Sequence, residues 1–212
     1  MPKALRLLIA LAIIVGAVAL QITVSLLVRK DPEDLIAPTE RSAAAIKPDE
    51  QRELFNGDWS VTDGYINISP EIAGFVDPTT AFTGQANGLV GAADGVALVV
   101  ITPQPVGTLD LAVELYGTEP AAPSWCQDEV KVSFKFPAQT ALRNVDTSLP
   151  LAVPEGTYRV RYCASEQDAA AAGDAGSVMP GQYQLQLWPD RAPSGDEVIQ
   201  QTSEFAKSQN AG

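Results

Sequence analysis

The chain has 212 residues, with 14 Lys+Arg against 26 Asp+Glu, no histidine and two cysteines. Such a length fits one ordinary domain with additions, and the missing histidine excludes Ser-His-Asp and Cys-His nucleophile systems and every histidine-bearing metal site. Residues 1–48 take six of the basic and four of the acidic groups, leaving 8 and 22 beyond them, and the resulting net charge of −14 excludes nucleic acid as a natural partner.

In chain order, the first feature is the uncharged run "LLIALAIIVGAVALQITVSLLV", residues 7–28. At about 1.5 Å per residue it spans about 33 Å as a helix, which matches a hydrocarbon core of about 30 Å. It lacks the polar face of a surface helix. Residues 1–28 therefore read as an N-terminal signal anchor with a single transmembrane helix. Ala17-Val18-Ala19 offers an A-x-A-like cleavage site, but the apolar run continues nine residues past it, to Val28, which favours an uncleaved anchor. Lys3 and Arg6 favour a cytoplasmic N-terminus, while Arg29 and Lys30 flank the other end. A large downstream domain translocates largely regardless of such charges, so the expected topology is single-pass in the cell membrane with the C-terminal domain extracytoplasmic.

Residues 29–54 are rich in charge, alanine and proline and read as a juxtamembrane linker. From about Phe55 short alternating runs appear between Gly, Pro, Asp and Asn. Leu109, Leu111, Val113 and Leu115 alternate with Asp110 and Glu114; Val130, Val132, Phe134 and Phe136 alternate with Lys131, Ser133 and Lys135; Tyr183, Leu185 and Leu187 alternate with Gln184 and Gln186. One dry face and one wet face on successive strands predicts an all-β, antiparallel, jelly-roll-like β-sandwich over 55–189. "GVALVVI" is apolar throughout and is expected to be a central strand covered on both sides. The alanine-rich stretch 165–181 reads as a mobile loop, and 190–212 as a polar C-terminal tail with at most one short helix.

Chemistry-bearing patterns are few. The two cysteines are 37 positions apart, too far for a C-x-x-C redox or zinc pattern, and no G-x-G-x-x-G, P-loop or G-x-S-x-G sequence occurs. The acidic loops "VTDG", "AADG" and "QDE" lack calcium-loop spacing and read as turns. The sequon Asn67-Ile68-Ser69 falls in a predicted strand, and Trp59, Trp125 and Trp188 fall at strand ends, where they close a core more readily than they stack on sugars. No catalytic, cofactor or metal residue is expected. Lys131, Lys135, Arg159 and Arg161 are expected on one outward face, a basic island that serves either as an interaction face or in cross-strand pairing with Asp110, Glu114 or Glu129.

The segments "DWSVTDGYINIS", "WCQDEVKVSFKFP" and above all "EGTYRVRYCAS…YQLQLWP" resemble the ComJ family of small bacterial β-sandwich proteins. The resemblance covers about residues 55–189. It implies a β-sandwich and, after the name-giving member, inhibition of a DNA-entry nuclease; it carries no catalytic motif, so no site residue transfers. The anchor, the linker and the alanine-rich loop depart from the family pattern.

In "TYRVRYC", Cys163 falls in register with Arg159 and Arg161 rather than with the apolar Tyr158, Val160 and Tyr162. In an oxidising compartment its partner is Cys126; in the cytosol both remain thiols. The reading that follows is a membrane-anchored, non-enzymatic β-sandwich interaction module with a protein partner, basic if the domain's acidity is used in binding. A tethered inhibitor or immunity-type protein for a nuclease or another basic protein is the first alternative. An envelope carbohydrate binder or carboxylate-based hydrolase is the second.

Overall fold

Residues 45–71 and 78–210 are described by the computed structural model of the chain. The apolar segment 7–28 and most of the linker lie outside them; among the described residues no helix is long and apolar enough to cross a membrane. The strands are β1 (Gln51–Val61), β2 (Tyr65–Pro70), β3 (Val90–Gly91), β4 (Leu98–Ile101), β5 (Gly107–Tyr116), β6 (Asp128–Phe136), β7 (Thr140–Arg143), β8 (Ser148–Pro150), β9 (Gly156–Ala164), β10 (Tyr183–Pro189) and β11 (Glu197–Gln201). Three short helices join them: α1 (Pro78–Ala81), α2 (Gln167–Ala171) and α3 (Glu204–Gln209). One sheet has six strands in the order β1-β5-β10-β9-β6-β11, the other five in the order β3-β4-β2-β7-β8.

The period-two patterns determine which side chains meet. Leu109, Leu111, Val113 and Leu115 of β5, Val130, Val132, Phe134 and Phe136 of β6, Tyr158, Val160 and Tyr162 of β9, and Leu185 and Leu187 of β10 share one core with Ile66, Ile68, Leu98, Val100 and Leu142 of the second sheet. Each such side chain, once sequestered, contributes about 1.5–3 kcal/mol. β4 is dry on its other side as well: Val99 packs with Ala81 of α1 and Ala97 in a second small cluster, which accounts for its unbroken apolar run. The sequon is folded into β2, where the side chains of Asn67 and Ser69 are buried.

One expectation about the sheets is corrected. The six-stranded sheet is mixed, because β10 runs parallel to β5 (Tyr183↔Leu111 to Leu187↔Leu115) while antiparallel to β9. The chain leaves β9, turns through α2 and pairs back on β9, and that sets the direction of β10. Its other edge then meets a strand formed much earlier, and alternation within a strand is blind to the direction of a neighbour.

Two segments are more ordered than their composition suggests. In 165–181, Ala170 of α2 and Met179 are buried, and the Gln104 amide donates to the Ala170 carbonyl at 2.7 Å. Gly181 (φ +91) passes so close to the Ser165 carbonyl that a Cβ there would collide with it. The polar tail contributes β11, an edge strand paired with β6, and α3, whose Ala206 is buried. Their apolar signal is weak, and polar clasps do the fastening instead. Asp128 accepts from the Thr202 and Ser203 amides at 2.6 and 3.0 Å; Asp168 accepts from the Glu204 and Phe205 amides at 3.0 and 2.8 Å; Asp196 accepts from the Ala86 and Asn87 amides at 2.7 and 2.9 Å.

The Phe205 and Glu204 amides hold the Asp168 carboxyl below its ordinary value of 3.8. At Asp196 desolvation pulls upward, but the Asn87 side chain and the Ala86 and Asn87 amides together outweigh it, and its value is lowered too. A folded-state value below the unfolded one stabilises the clasp above the unfolded value, and the contribution is lost as pH falls through the folded value. Hydrogen exchange of amides 197–209, corrected for intrinsic rates, should therefore speed up relative to β9 as pH drops from 5 to 3. Equal protection of both segments across that range would refute the clasp.

Candidate functional site

The face of the six-stranded sheet turned away from the core is divided into a covered half and an open half. The covered half is organised by the outward row of β9, namely Arg159, Arg161 and Cys163. Each of these three side chains fastens a different piece of chain. Cys163 is bonded to Cys126, with Cα atoms 5.2 Å apart, and pins the end of the β5–β6 connection (residues 117–127) onto β9. Arg161, only 4 % exposed, directs Nε to Glu129 at 2.8 Å, one terminal nitrogen to Glu119 at 2.8 Å, and the other to the Pro120 carbonyl at 2.8 Å and Gln186 at 2.9 Å. Its guanidinium carbon also lies 5.2 Å from the centre of the Trp188 ring, an electrostatically favourable place for a cation. Arg159 clasps the chain ahead of β11, donating to the Ser194 and Gly195 carbonyls and pairing with Glu197 at 3.2 Å. Ser133 completes that clasp by donating to Asp190 at 2.5 Å and accepting from the Ser194 amide at 3.1 Å.

The register of β6 on β9 places Lys131, Lys135, Arg159 and Arg161 on one face, and three of them have internal partners. Arg159 and Arg161 are buried under the strapped segments, Lys131 pairs with Glu119 at 2.8 Å, and Lys135 is exposed. Of the three acidic partners considered from sequence, Glu129 takes Arg161, whereas Asp110 and Glu114 are paired with neither arginine. Trp59 is buried in the core edge-to-face with Phe55, and Trp188 is buried beneath Arg161. Cys126, Glu129 and Cys163 come close enough to suggest a metal cluster, but the two sulfurs are bonded to each other and the carboxylate is held by Arg161.

The open half is formed by β1 and β5 and is acidic. In their antiparallel register Asp58 stands directly opposite Asp110, and Glu53 directly opposite Glu114. Like charges so placed destabilise a sheet. The Glu114 carboxylate accepts hydrogen bonds from Gln184 and the Tyr116 hydroxyl at 2.6 Å each and from Gln51 at 3.3 Å. Burial first, and then the Glu114 carboxylate, push the Tyr116 hydroxyl up to about 12. Glu53 accepts from Asn56 at 3.0 Å. Asp58 and Asp110 are exposed, and among the described residues neither side chain has a hydrogen bond or ion pair. A shallow cleft of about 320 Å³ at the end of these strands is lined by Asp49, Glu50, Tyr116, Gly117 and Glu119, of which Glu50 pairs with Arg52 and Glu119 with Lys131 and Arg161. The outward position of Asp110 was legible in the alternation of β5; its pairing with Asp58 was not, because register depends on both strands.

Two outcomes test the covered half. Arg161→Met should cost about 3–5 kcal/mol in urea unfolding, since Glu129 is then buried alone, and the double replacement Arg161→Met/Glu129→Leu should recover most of it. If the double variant is no better than the single, the ion pair is not what Arg161 contributes. Separately, reducing the Cys126–Cys163 bond should cost about 4 kcal/mol for a loop of this length.

No protein-family model matches the chain, and no curated protein sequence matches it. Among solved structures it is similar to ComJ from Bacillus subtilis, an inhibitor of the DNA-degrading activity of NucA, at 13 % identity and a TM-score of 0.48, covering 66 % of this chain and 99 % of that one. It is also similar to the product of crocagin biosynthetic gene J, at 17 % identity and a TM-score of 0.42, covering 67 % of this chain and 99 % of that one.

Proposed function

We propose that this chain is a membrane-anchored, non-enzymatic interaction protein that binds a basic protein partner through the open acidic half of its six-stranded sheet, on the extracytoplasmic side. The observation that carries this reading is the register of β1 on β5, which sets Asp58 against Asp110 on an exposed surface, with no ion pair to either among the described residues. Three arginines lie on the same sheet, and each is paired internally: Arg159 and Arg161 are buried, and Arg52 of β1 pairs with Glu50 at 2.6 Å. An arrangement that breaks a local rule without internal compensation is the kind expected where an external group supplies the compensation. The bonded cysteines support an oxidising compartment, and the uncharged run 7–28 supports the anchor. The same acidic face favours a second reading, inhibition of a nuclease, because an enzyme that binds a polyanion presents a basic cleft; nuclease inhibition is also the role ascribed to ComJ.

Affinity capture with the full-length chain, run beside a matched Asp58→Lys/Asp110→Lys bait, tests the face. A basic protein held by the first bait, released by about 0.5 M salt and absent from the second is the expected result. A captured set unchanged by the charge reversal would overturn it. Adding the captured protein to a DNA-degradation assay, with and without the chain, decides between simple binding and inhibition. For the location, a membrane-impermeant maleimide on intact cells should label Cys126 and Cys163 only after reductant is added. Labelling that needs lysis but no reductant would put the domain inside.

A further inference from the structure

The open acidic half ends at a strand whose far side is unpaired. β1 is the last strand of its sheet, and two sets of bonds tell which of its backbone groups face outward. Thr108, opposite Ser60, directs both backbone groups away from β1: its N–H donates to the Ser177 carbonyl at 3.0 Å, and its carbonyl accepts from the Met179 amide at 2.7 Å. Ser60 in turn directs its carbonyl away from β5, where it accepts from the Asn144 side chain at 2.9 Å. Because alternate residues of a strand turn N–H and C=O to the same edge, Asn56 and Asp58 present theirs to the open side. Among the described residues no backbone group takes them.

Gly57, between those two residues, has φ +145, and a Cβ placed there would meet nothing within 4 Å. It lies on the same side of the strand as Phe55 and Trp59, whose ring centres are 5.8 Å apart. Glycine inside a strand marks a place where another chain approaches closely, or where a neighbouring side chain covers the gap. The bulge between Glu53 and Phe55 limits the straight run to Phe55–Val61. A second copy of this edge is a poor occupant, since it would bring another Asp58 against the first.

We propose that β1 takes up a short extended segment of the basic partner as an added edge strand. Its backbone pairs with Asn56, Asp58 and the Ser60 N–H, its basic side chains lie beside Asp58 and Asp110, and an apolar one covers Gly57. The segment recognised therefore alternates basic and apolar residues. Main-chain bonds of this kind supply affinity, and the alternate side chains supply selectivity. The proposal rests on the acidic-face reading above and adds the mode of engagement.

The test uses the full-length chain in detergent and three fluorescent peptides read by anisotropy at low salt: an eight-residue alternating Lys–Val peptide, the same peptide N-methylated at alternate positions, and a Lys–Pro peptide of equal charge. The Lys–Val peptide should bind at least ten-fold more tightly than the other two, and Asp58→Asn/Asp110→Asn should weaken all three. Equal binding of the three peptides, still sensitive to the Asn variants, would overturn strand addition and leave the acidic face standing. Binding unaffected by the Asn variants, or no binding by any peptide, would overturn the acidic face as well.

Discussion

A guanidinium taken almost wholly out of water has to find an acceptor for its N–H groups, and the outer side of the six-stranded sheet is arranged around that demand at Arg161. Glu129 from β6, Gln186 from β10, and Glu119 with the Pro120 carbonyl from the β5–β6 connection converge on it, with the Trp188 ring beneath. A buried ion pair is not a cheap source of stability, because desolvation offsets most of its attraction. What it does supply is geometry. With those acceptors required, the 117–127 connection has one place to lie, and the Cys126–Cys163 bond pins the same segment one position further along. Gly117, where the segment departs, passes so close to the Lys47 carbonyl that no larger residue fits.

The same logic separates the charges of the domain. Its arginines on this sheet are turned to internal tasks: Arg161 holds the β5–β6 connection, Arg159 holds the chain ahead of β11, and Arg52 pairs with Glu50. Carboxylates with internal tasks, such as Asp128, Asp168 and Asp196, receive backbone amides rather than cations. Asp58 and Asp110, exposed on β1 and β5, are left with no ion pair among the described residues. Within a domain of net charge −14, this unpaired couple of carboxylates lies beside the open edge of the sheet. Screening at physiological salt confines their field to about 8 Å, so a partner must come into contact to benefit from it.

Covered and open halves also differ in how they are held. The covered half is closed by side-chain bonds formed across long sequence separations, a disulfide and two arginine clasps, which lock segments of little apolar content onto a sheet. The open half is held by the register of β1 on β5, by the pairing of β5 with β10 and by the core residues beneath, Trp59, Val61, Leu109 and Leu111 among them.

The sequence by itself determined the strands and their faces, because a period of two follows from pleat geometry and needs no neighbour. Leu109 to Leu115 and Val130 to Phe136 turn inward as their alternation requires; of "GVALVVI", Ala97 to Val100 are buried, whereas Gly95 and Val96 are exposed. It also set Cys163 in register with the two arginines, and the structure explains that company: all three are fasteners on the wet side of β9. Only the tertiary structure decided that β10 runs parallel to β5, that the polar tail supplies a strand, and that Asp58 meets Asp110. These depend on which strand lies beside which and in what register. That is a property of pairs of segments far apart in the chain, and no pattern within either segment encodes it.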